Sequence, residues 1–383
     1  MKIVIAPDSF KGCLTAREVC EAAARGIGEI GADLDCVAVP MADGGEGTVQ
    51  SLVDATAGEL RHEVVTGPLG EAVEAVYGLL GDGQTAVIEM AAASGLPLVP
   101  LDRRGPLRTT TYGTGELIRA ALDAGRRRLI IGLGGSATND AGLGMAAALG
   151  ARLLDADGEE VPATGEGLSR LEQIDLSGLD PRLAATEVRV ACDVDNPLYG
   201  PHGAAFVYGP QKGATPETVA VLDAGLRRFA AVVRRDLGLE VADFPGAGAA
   251  GGLGAGLVAF CGARLEPGVG IVADTVGLRE KLSGCGLCLT GEGRLDAQTR
   301  FGKTPKGVAD VARELGVPVV AFGGSVATDV DDLGEHFSAV FAICSEPLAL
   351  TEAMQPDRAR RLIAFTAEQI VRCFLAGRTS HYC

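Results

Sequence analysis

The amino-acid sequence predicts an α/β protein in which a large mixed α/β domain is inserted into a Rossmann-like parallel-sheet domain. Short apolar runs alternate with amphipathic stretches near both chain ends, as parallel strands joined by helices do. Residues 61–90 instead contain alternating, turn-rich segments, which are typical of antiparallel strands. The 383 residues fit two domains better than one. We therefore assign residues 1–62 and 280–383 to the Rossmann-like domain and residues 63–279 to the inserted domain, with the active site expected in the cleft between them.

The N-terminal part of the chain predicts the order strand, helix, strand, helix. Residues 3–6 are a short apolar run, as expected of a buried strand. Thr15 and Glu18 have the capping-box pattern, which predicts that a helix begins there and continues to about Ile30. A second strand is predicted at residues 36–40, and a second helix over residues 48–57.

The α/β alternation returns in the middle of the chain and again near its C-terminus. In the middle, a helix, a strand and a helix are predicted at residues 115–124, 129–132 and 140–149. Near the C-terminus, a strand, a helix, two strands and a helix are predicted at residues 287–290, 304–315, 317–322, 339–343 and 357–375. Pro305 favours a helix start, because proline is well tolerated in the first turn. Both ends of the chain are therefore expected to contribute strands to one parallel sheet.

Composition limits the classes of partner. The chain has 34 Lys and Arg against 50 Asp and Glu, a net charge of −16, which argues against nucleic acid or an anionic membrane as a partner. Trp is absent and aromatic residues are scarce, so stacking on single-stranded nucleic acid is disfavoured. The apolar run at the N-terminus is too short for a signal peptide, and no run reaches transmembrane length. We therefore predict a cytoplasmic protein that acts on small molecules.

Polar, glycine-rich segments follow several predicted strands, at residues 8–12, 42–47, 291–296 and 323–325. The carboxyl ends of parallel strands share one edge of the sheet, where ligands usually bind, so we expect these segments to meet in a single cleft. A turn with a Ser helix cap explains residues 323–325 better, whereas a site is favoured for the first two segments. A P-loop is not present, because Ala297 stands where that motif needs the glycine before Gly302-Lys303-Thr304.

Lysine is rare in this chain, and four of its six lysines lie beside glycine in polar segments: Lys11, Lys212, Lys303 and Lys306. The lysine ammonium is a compact charge that suits phosphate. Chance placement on the surface is an equal alternative for any single lysine. For Lys11, Lys212 and Lys303 taken together, we favour a functional role.

Residues 129–140 predict a strand, a glycine loop and a helix start. Gly134 and Gly135 would let backbone N–H groups approach an anion, and the helix N-terminus would add positive potential. The loop also matches a dinucleotide fingerprint, which we discount because Asn139 and Asp140 would crowd a pyrophosphate. Capping of the helix by Asp140 is the alternative role for that residue.

Two other segments of the middle region are candidates. Asp193 and Asp195 follow a predicted strand, and carboxylates of this kind suit Mg²⁺. Because Asp195 also begins a good turn, Asp193 is the stronger candidate. The glycine-rich residues 246–256 fit either a flexible loop or close helix packing.

Several segments, in order over nearly the whole chain, resemble signatures of the bacterial type I glycerate kinase family: residues 2–12, 42–48, 132–140, 210–214 and 290–299. The resemblance implies a Rossmann-like domain with a large inserted α/β domain, and ATP-dependent phosphorylation of D-glycerate. Members of the family are usually described as producing 2-phosphoglycerate, so that product is favoured over 3-phosphoglycerate. One departure from the family pattern is at residues 345–348, where a Pro-Gly-containing loop is expected, and it affects local contacts only. The sequence is compatible with a homodimer but does not determine the oligomeric state.

Phosphoryl transfer needs positioning, charge neutralisation and a group that receives the hydroxyl proton, and these needs assign roles to the candidates. Lys11, Arg294 and Lys303 would bind the glycerate carboxylate and the transferring phosphoryl oxygens. Asp193 with Glu292 would hold Mg²⁺, and Asp296 or Asp8 would be the base. Gly134, Gly135 and Ser136 would cradle the phosphates of ATP. Further contacts are expected to substrate or phosphate from Ser9, Asp43, Glu46, Lys212 and Gln298, and to the nucleotide from Asn139.

Two other functions are compatible with parts of this pattern. An NAD-linked oxidoreductase of small hydroxy acids could be built on residues 132–137, and a non-catalytic sensor could bind a small acid. Neither explains why lysines are found mainly beside the glycine-rich segments.

Overall fold

The structure, a computed structural model, describes residues 1–31, 33–296, 303–327 and 333–379. Its strands are β1 (Lys2–Ile5), β2 (Asp35–Ala38), β3 (Glu59–Thr66), β4 (Ala72–Leu79), β5 (Thr85–Glu89), β6 (Arg128–Gly132), β7 (Arg152–Leu154), β8 (Gln173–Asp175), β9 (Glu187–Ala191), β10 (Arg264–Glu266), β11 (Leu287–Leu295), β12 (Val319–Val326) and β13 (Ala339–Ala342). Its α-helices are α1 (Ala16–Gly28), α2 (Thr48–Thr56), α3 (Ala91–Ser94), α4 (Tyr112–Asp123), α5 (Leu143–Ala148), α6 (Ala204–Tyr208), α7 (Pro216–Leu237), α8 (Ala249–Cys261), α9 (Gly268–Thr275), α10 (Leu278–Leu282), α11 (Thr304–Glu314), α12 (Leu333–His336), α13 (Leu350–Ala353) and α14 (Pro356–Thr379).

The chain forms two compact units, neither of which is a single continuous stretch. The first unit contains Met1–Asp43, Gln50–Thr56 and Val269–Cys383. The second unit contains Gly44–Val49 and Ala57–Gly268. The chain thus enters the second unit briefly, returns to the first for Gln50–Thr56, forms most of the second unit, and then completes the first.

The first unit contains a parallel sheet of five strands in the order β13-β12-β11-β1-β2. β1 pairs with β11 through Ile3 and Leu287, so the two ends of the chain meet in the centre of this sheet. Ile3, Val4 and Ile5 are completely buried, as expected of a central parallel strand covered on both faces. The predicted Rossmann-like parallel sheet is confirmed.

Helix α1 of this unit begins where its capping box predicts. Thr15 Oγ1 accepts a hydrogen bond from the Glu18 N–H at 3.2 Å, and the Glu18 carboxylate accepts one from the Thr15 N–H at 2.8 Å. These reciprocal bonds satisfy two N–H groups at the helix N-terminus. The helix packs closely on α14, because a Cβ at Gly26 would lie 1.9 Å from the Ala364 carbonyl oxygen.

Strands β11 and β12 are longer than predicted. We expected loops at residues 291–296 and 323–325, but the two strands stay paired as far as Leu295 and Val326. Leu295 is completely buried and anchors the end of β11. At Gly291, a Cβ would lie 2.2 Å from the Phe322 carbonyl oxygen. The glycine therefore permits close strand packing, where the sequence suggested a turn.

The second unit contains a mixed sheet of six strands in the order β10-β9-β6-β5-β4-β3. β3, β4 and β5 pair antiparallel, which confirms the prediction for residues 61–90, and β5, β6, β9 and β10 pair parallel. A small antiparallel pair, β7 and β8, lies outside this sheet. The core contains apolar side chains such as Leu117, Phe229 and Leu253, all completely buried.

Helix α5 begins later than predicted, at Leu143 instead of residue 140. The backbone first makes a left-handed turn, with φ of 51° at Ala141 and 77° at Gly142. The buried Asp140 carboxylate holds this turn, because it accepts hydrogen bonds from the N–H groups of Thr111, Gly142 and Gly144. Asp140 therefore accepts a hydrogen bond from the Gly144 N–H in the first turn of α5, although Gly142 occupies the N-cap position itself.

Within the described ranges, no helix is both long enough and apolar enough to cross a membrane.

Candidate active site

A pocket in the first unit collects many of the predicted site residues. It lies at the carboxyl ends of the adjacent strands β1 and β11. From β1 the chain continues to β2 at one edge of the sheet, and from β11 it continues to β12 toward the other edge. Such a switch in strand order leaves a crevice that commonly binds ligands. The pocket has a volume of about 500 Å³. Its predicted polar residues, which we call the polar wall, are Asp8, Ser9, Lys11, Asp43, Glu292, Arg294 and Lys303.

Asp8 is the most buried carboxylate of the polar wall, at 5 % exposure. Its Oδ1 accepts a hydrogen bond from the Ser9 N–H at 2.6 Å, and its Oδ2 accepts one from Thr304 Oγ1 at 2.6 Å. Burial raises the pKa of Asp8, and the nearby charge of Asp43 raises it further, although the two hydrogen bonds and Lys11 oppose the rise. The carboxylate is thus fixed in orientation and is more basic than an ordinary aspartate.

The cations of the polar wall are paired with carboxylates of the first unit. Lys11 Nζ lies 3.8 Å from Asp43 Oδ2, and Lys303 Nζ lies 3.6 Å from Glu292 Oε2. Arg294 Nε lies 3.3 Å from Asp296 Oδ2, and this guanidinium side chain is 71 % exposed. These loose, partly exposed pairs are worth little to stability, so the cations can turn to an anionic ligand at small cost.

Part of the pocket lining is apolar and was not predicted from the sequence. This apolar wall includes Phe10, Ile343, Leu348, Leu350 and Met354. Leu350 is 74 % exposed and Met354 is 38 % exposed, which is unusual for large apolar side chains. Their spacing of four residues was an available signal, because it places two side chains on one face of a helix.

Two predicted residues, Asp296 and Gln298, follow β11 in the sequence. Among the described residues, Asp296 is absent from the pocket lining, and its carboxylate lies beside Arg294. Gln298 lies outside the described residues. The predicted roles of both residues stay predictions.

The second unit brings several glycine-rich segments together at the carboxyl ends of β6 and β9. A Cβ at Gly44 would lie 2.6 Å from the Ala191 Cβ, and one at Gly132 would lie 2.4 Å from the Gly44 carbonyl oxygen. Gly134 and Gly135 follow β6 and are exposed, and φ at Gly135 is +73°. We call residues 134–138 the glycine loop. Gly134 and Gly135 are exposed in this loop, and its predicted binding of an anion stays a prediction.

Side chains of the predicted nucleotide residues are buried. Ser136 is 7 % exposed and Asn139 is completely buried. Neither polar atom of the Asn139 amide has a hydrogen-bond partner among the described residues. A buried amide without partners is costly, so this position is a candidate for a contact that forms only with a ligand or water.

Lys212 is also buried, at 2 % exposure. Its Nζ donates hydrogen bonds to Ser136 Oγ and to the Thr138 carbonyl oxygen, both at 2.7 Å. Burial lowers the pKa of Lys212 to about 7, although the nearby Asp140 carboxylate opposes the decrease. The structure thus joins two predicted site residues, Lys212 and Ser136, but places the ammonium inside the protein.

Two more predicted acidic residues, Asp193 and Glu46, belong to the second unit. Asp193 is exposed, and its Oδ1 accepts a hydrogen bond from the Gly268 N–H at 3.0 Å. Glu46 is exposed. Sequence reasoning missed Glu89, whose carboxylate accepts a hydrogen bond from the Val49 N–H at 2.9 Å and whose pKa is raised by burial. Glu89 therefore fixes the glycine-rich segment that precedes α2.

Metal ligands were also predicted. Among the described residues, no group of three or more His, Cys, Asp or Glu side chains has the arrangement of a metal site. Asp193 belongs to the second unit and Glu292 to the first. Their joint binding of Mg²⁺ stays a prediction.

A family model described as the glycerate kinase family matches residues 3–375. The chain belongs to this family. This glycerate kinase family member is 52 % identical over 380 residues to a glycerate kinase of Bacillus subtilis (strain 168), covering 99 % of each chain. It is 52 % identical over 372 residues to a glycerate 2-kinase of Escherichia coli (strain K12), covering 96 % of this chain and 98 % of the relative.

A solved structure from Salmonella typhimurium LT2, assigned to glycerate kinase 2, resembles the fold of this glycerate kinase family member. The two share 51 % sequence identity with a TM-score of 0.92, and the match covers 99 % of both chains. The family membership confirms the predicted resemblance and the enzyme class, a kinase with ATP as co-substrate. An NAD-linked oxidoreductase and a non-catalytic sensor are not favoured.

Proposed function

We propose that this kinase transfers the γ-phosphoryl group of ATP to a hydroxyl group of D-glycerate. The main support from the structure is the polar wall, which sets three carboxylates and three cations around one pocket. In the reaction, the hydroxyl oxygen bonds to the γ-phosphorus, and the bond from that phosphorus to the oxygen bridging it to the β-phosphate breaks. ADP leaves, and the hydroxyl proton passes to a base. The names of the relatives support glycerate as the acceptor.

Asp8 is the base that we propose, and Asp296 is the alternative. Asp8 lines the pocket, its orientation is fixed by Ser9 and Thr304, and its raised pKa makes it a better proton acceptor. Asp296 lies beside Arg294 and is absent from the pocket lining among the described residues.

Lys11, Arg294 and Lys303 are proposed to bind the glycerate carboxylate and the oxygens of the transferring phosphoryl group. All three carry positive charge on the polar wall, where they can neutralise a small anion and the charge that spreads over the γ-phosphoryl group. Ser9 and Asp43 are proposed to contact the glycerate hydroxyl groups. The apolar wall of the same pocket would limit the water that reaches the phosphoryl group.

The carboxylate groups proposed as metal ligands suit Mg²⁺. Glu292 lines the pocket and Asp193 is exposed at a strand end, and carboxylate oxygens with retained water are what this ion prefers. We propose that these two residues hold the ion. When bound, Mg²⁺ neutralises negative charge on the ATP phosphates. The glycine loop is proposed to bind those phosphates, with Asn139, Glu46 and Lys212 in supporting roles.

The test is a coupled assay with ATP, Mg²⁺ and D-glycerate, read through enolase with and without phosphoglycerate mutase. Enolase accepts the 2-phosphate, so we expect a signal without mutase. A signal only with mutase would assign the 3-phosphate. No ADP formation in the presence of D-glycerate would overturn the proposal.

A homodimer, a cytoplasmic location and the two-domain boundaries at 62/63 and 279/280 stay predictions.

Lys303→Met is expected to lower kcat/KM for D-glycerate by roughly 10- to 100-fold, the range for losing a hydrogen bond to a charged group. The side chain would lose its charge while it keeps much of its length. Steady-state kinetics at saturating ATP measure the effect. Lys306→Met is the matched control, because Lys306 lies on α11 and pairs with Asp310 at 2.6 Å, away from the pocket lining. Equal kcat/KM in the two variants would remove Lys303 from the site.

A further inference from the structure

The buried ammonium of Lys212 has an unusual position for a phosphate ligand. Lysine is almost never fully buried without a partner, yet the contacts of this one are two neutral oxygens, Ser136 Oγ and the Thr138 carbonyl. Both bonds are 2.7 Å long, which is short for an ammonium donor. Two of its three N–H groups are therefore directed into the protein, toward the backbone and side chain of the glycine loop.

Lys212 connects this loop to a separate part of the second unit. It ends the tight turn at Pro210–Lys212, between α6 and α7, and its N–H donates to the Gly209 carbonyl oxygen at 3.0 Å. Gly213 follows with φ of +90°, and a Cβ there would lie 2.8 Å from the Arg104 Cβ. The turn is thus fixed by its own backbone hydrogen bond and by close packing. The backbone of Lys212, from which its side chain extends, is therefore restricted in position.

The glycine loop is also held by other contacts, and Thr109 Oγ1 donates a hydrogen bond to the Ala137 carbonyl oxygen at 3.0 Å. The Leu96 N–H donates to the Gly135 carbonyl oxygen at 2.8 Å, and the Ala137 N–H donates to the Ser94 carbonyl oxygen at 2.9 Å. Consecutive glycines have the largest conformational freedom to lose, so a loop that must present its backbone in one conformation requires restraint. α5 begins only at Leu143 and does not supply it.

We infer that Lys212 is a positioning residue that fixes the glycine loop in the conformation that receives the nucleotide phosphates. It would act through Ser136 and Thr138 and would not itself touch the phosphates. The inference rests on the proposed nucleotide role of the loop. Asp140, which precedes α5, is a charged group that acts on the Lys212 ammonium, and Arg104 Nη1 donates to the neighbouring Gln211 carbonyl oxygen at 3.2 Å.

The kinetic test compares Lys212→Met with wild type. Methionine keeps most of the side-chain length and removes both hydrogen bonds, so we expect KM for ATP to rise about tenfold or more, the effect of losing about 1.4 kcal/mol of binding. KM for D-glycerate should stay within about twofold. Lys281→Met is the control, because Lys281 is also partly buried but lies on α10, in the first unit. An unchanged KM for ATP, or an equal rise in both KM values, would overturn the inference.

Amide hydrogen exchange gives a readout that does not depend on turnover. In Lys212→Met, exchange at the amides of residues 134–138 should be about tenfold faster or more, while exchange in the sheet of the first unit stays the same. Should that variant not fold, Ser136→Ala removes one of the two contacts and should accelerate exchange at Ala137 and Thr138. Unchanged exchange in the loop would overturn the inference. If wild type showed no kinase activity, the exchange result would still decide the role of Lys212.

Discussion

Asp8→Asn is expected to lower kcat by between about 10²- and 10⁴-fold, the range that general-base catalysis supplies. An amide has nearly the same shape as the carboxylate but cannot accept the hydroxyl proton. It can keep one of the bonds that the carboxylate accepts from Ser9 and Thr304, so KM for both substrates should change little. Steady-state rates of ADP formation at saturating ATP and D-glycerate measure the effect.

The control for this variant is Asp310→Asn, which removes a carboxylate from α11 that pairs with Lys306 on the surface. Its kcat should stay within about twofold of wild type, since exposed ion pairs contribute little. A kcat of Asp8→Asn within about tenfold of wild type would exclude Asp8 as the base. Asp296 would then be the remaining candidate of the proposed scheme.

The pH dependence of kcat/KM gives a second readout of the same carboxylate. A base works in its deprotonated form, so activity is lost as the pH falls through the pKa of Asp8. Because burial and the charge of Asp43 raise this pKa, the acid limb should lie above the pH expected for an ordinary aspartate. Asp43→Asn removes one of the raising charges and should move the limb to lower pH. A limb that moves to higher pH, or does not move, would contradict the assignment.

Gly251→Ala is expected to lower the free energy of unfolding of the second unit by more than about 4 kcal/mol, a loss reserved for severe backbone or core disruption. A Cβ at this position would lie 2.0 Å from the Thr138 carbonyl oxygen and 2.5 Å from the Asn139 Cα. Both contacts are with backbone, which cannot move aside as a flexible side chain can. Urea denaturation followed by circular dichroism measures the loss, and failure to accumulate folded protein is its extreme form.

Gly262→Ala is the matched control for Gly251→Ala. Both glycines have left-handed backbone, with φ of +71° at Gly251 and +61° at Gly262, but nothing lies within 4 Å of a Cβ at Gly262. In Gly262→Ala the free energy of unfolding should therefore fall only by the cost of placing alanine in the left-handed conformation, about 1–2 kcal/mol. Equal losses in the two variants would show that the glycine-rich stretch at residues 246–256 is not needed for close packing.

Features that depend on neighbouring residues in the chain were predictable from sequence. Thr15 and Glu18 determine the start of α1 by themselves, because the bonds of a capping box join residues three apart. The antiparallel strands β3 and β4 follow from their alternating pattern and a short connection. The edge that carries Asp8 and Lys11 follows from the rule that parallel strands end together.

Features that depend on distant contacts were not predictable. Glycine permits both a turn and close packing, so the sequence could not show that Gly291 lies within a strand that pairs with β12. Lys212 looked like an exposed phosphate ligand because it lies between polar and glycine residues, whereas its burial depends on Ser136 and Thr138, which are remote in sequence. Most of the apolar wall, including Met354, comes from residues far along the chain from Asp8.

The pairing of β1 with β11 has a consequence for the order in which the protein folds. During synthesis, the buried apolar residues of β1 have no central partner until residue 287 has been made. The second unit needs only Gly44–Val49 from the earlier chain, so it can fold while the last third is still missing. Closing so long a loop is entropically unfavourable and slow. We therefore expect the first unit to form last, with its N-terminal strand exposed to chaperones or aggregation for most of translation.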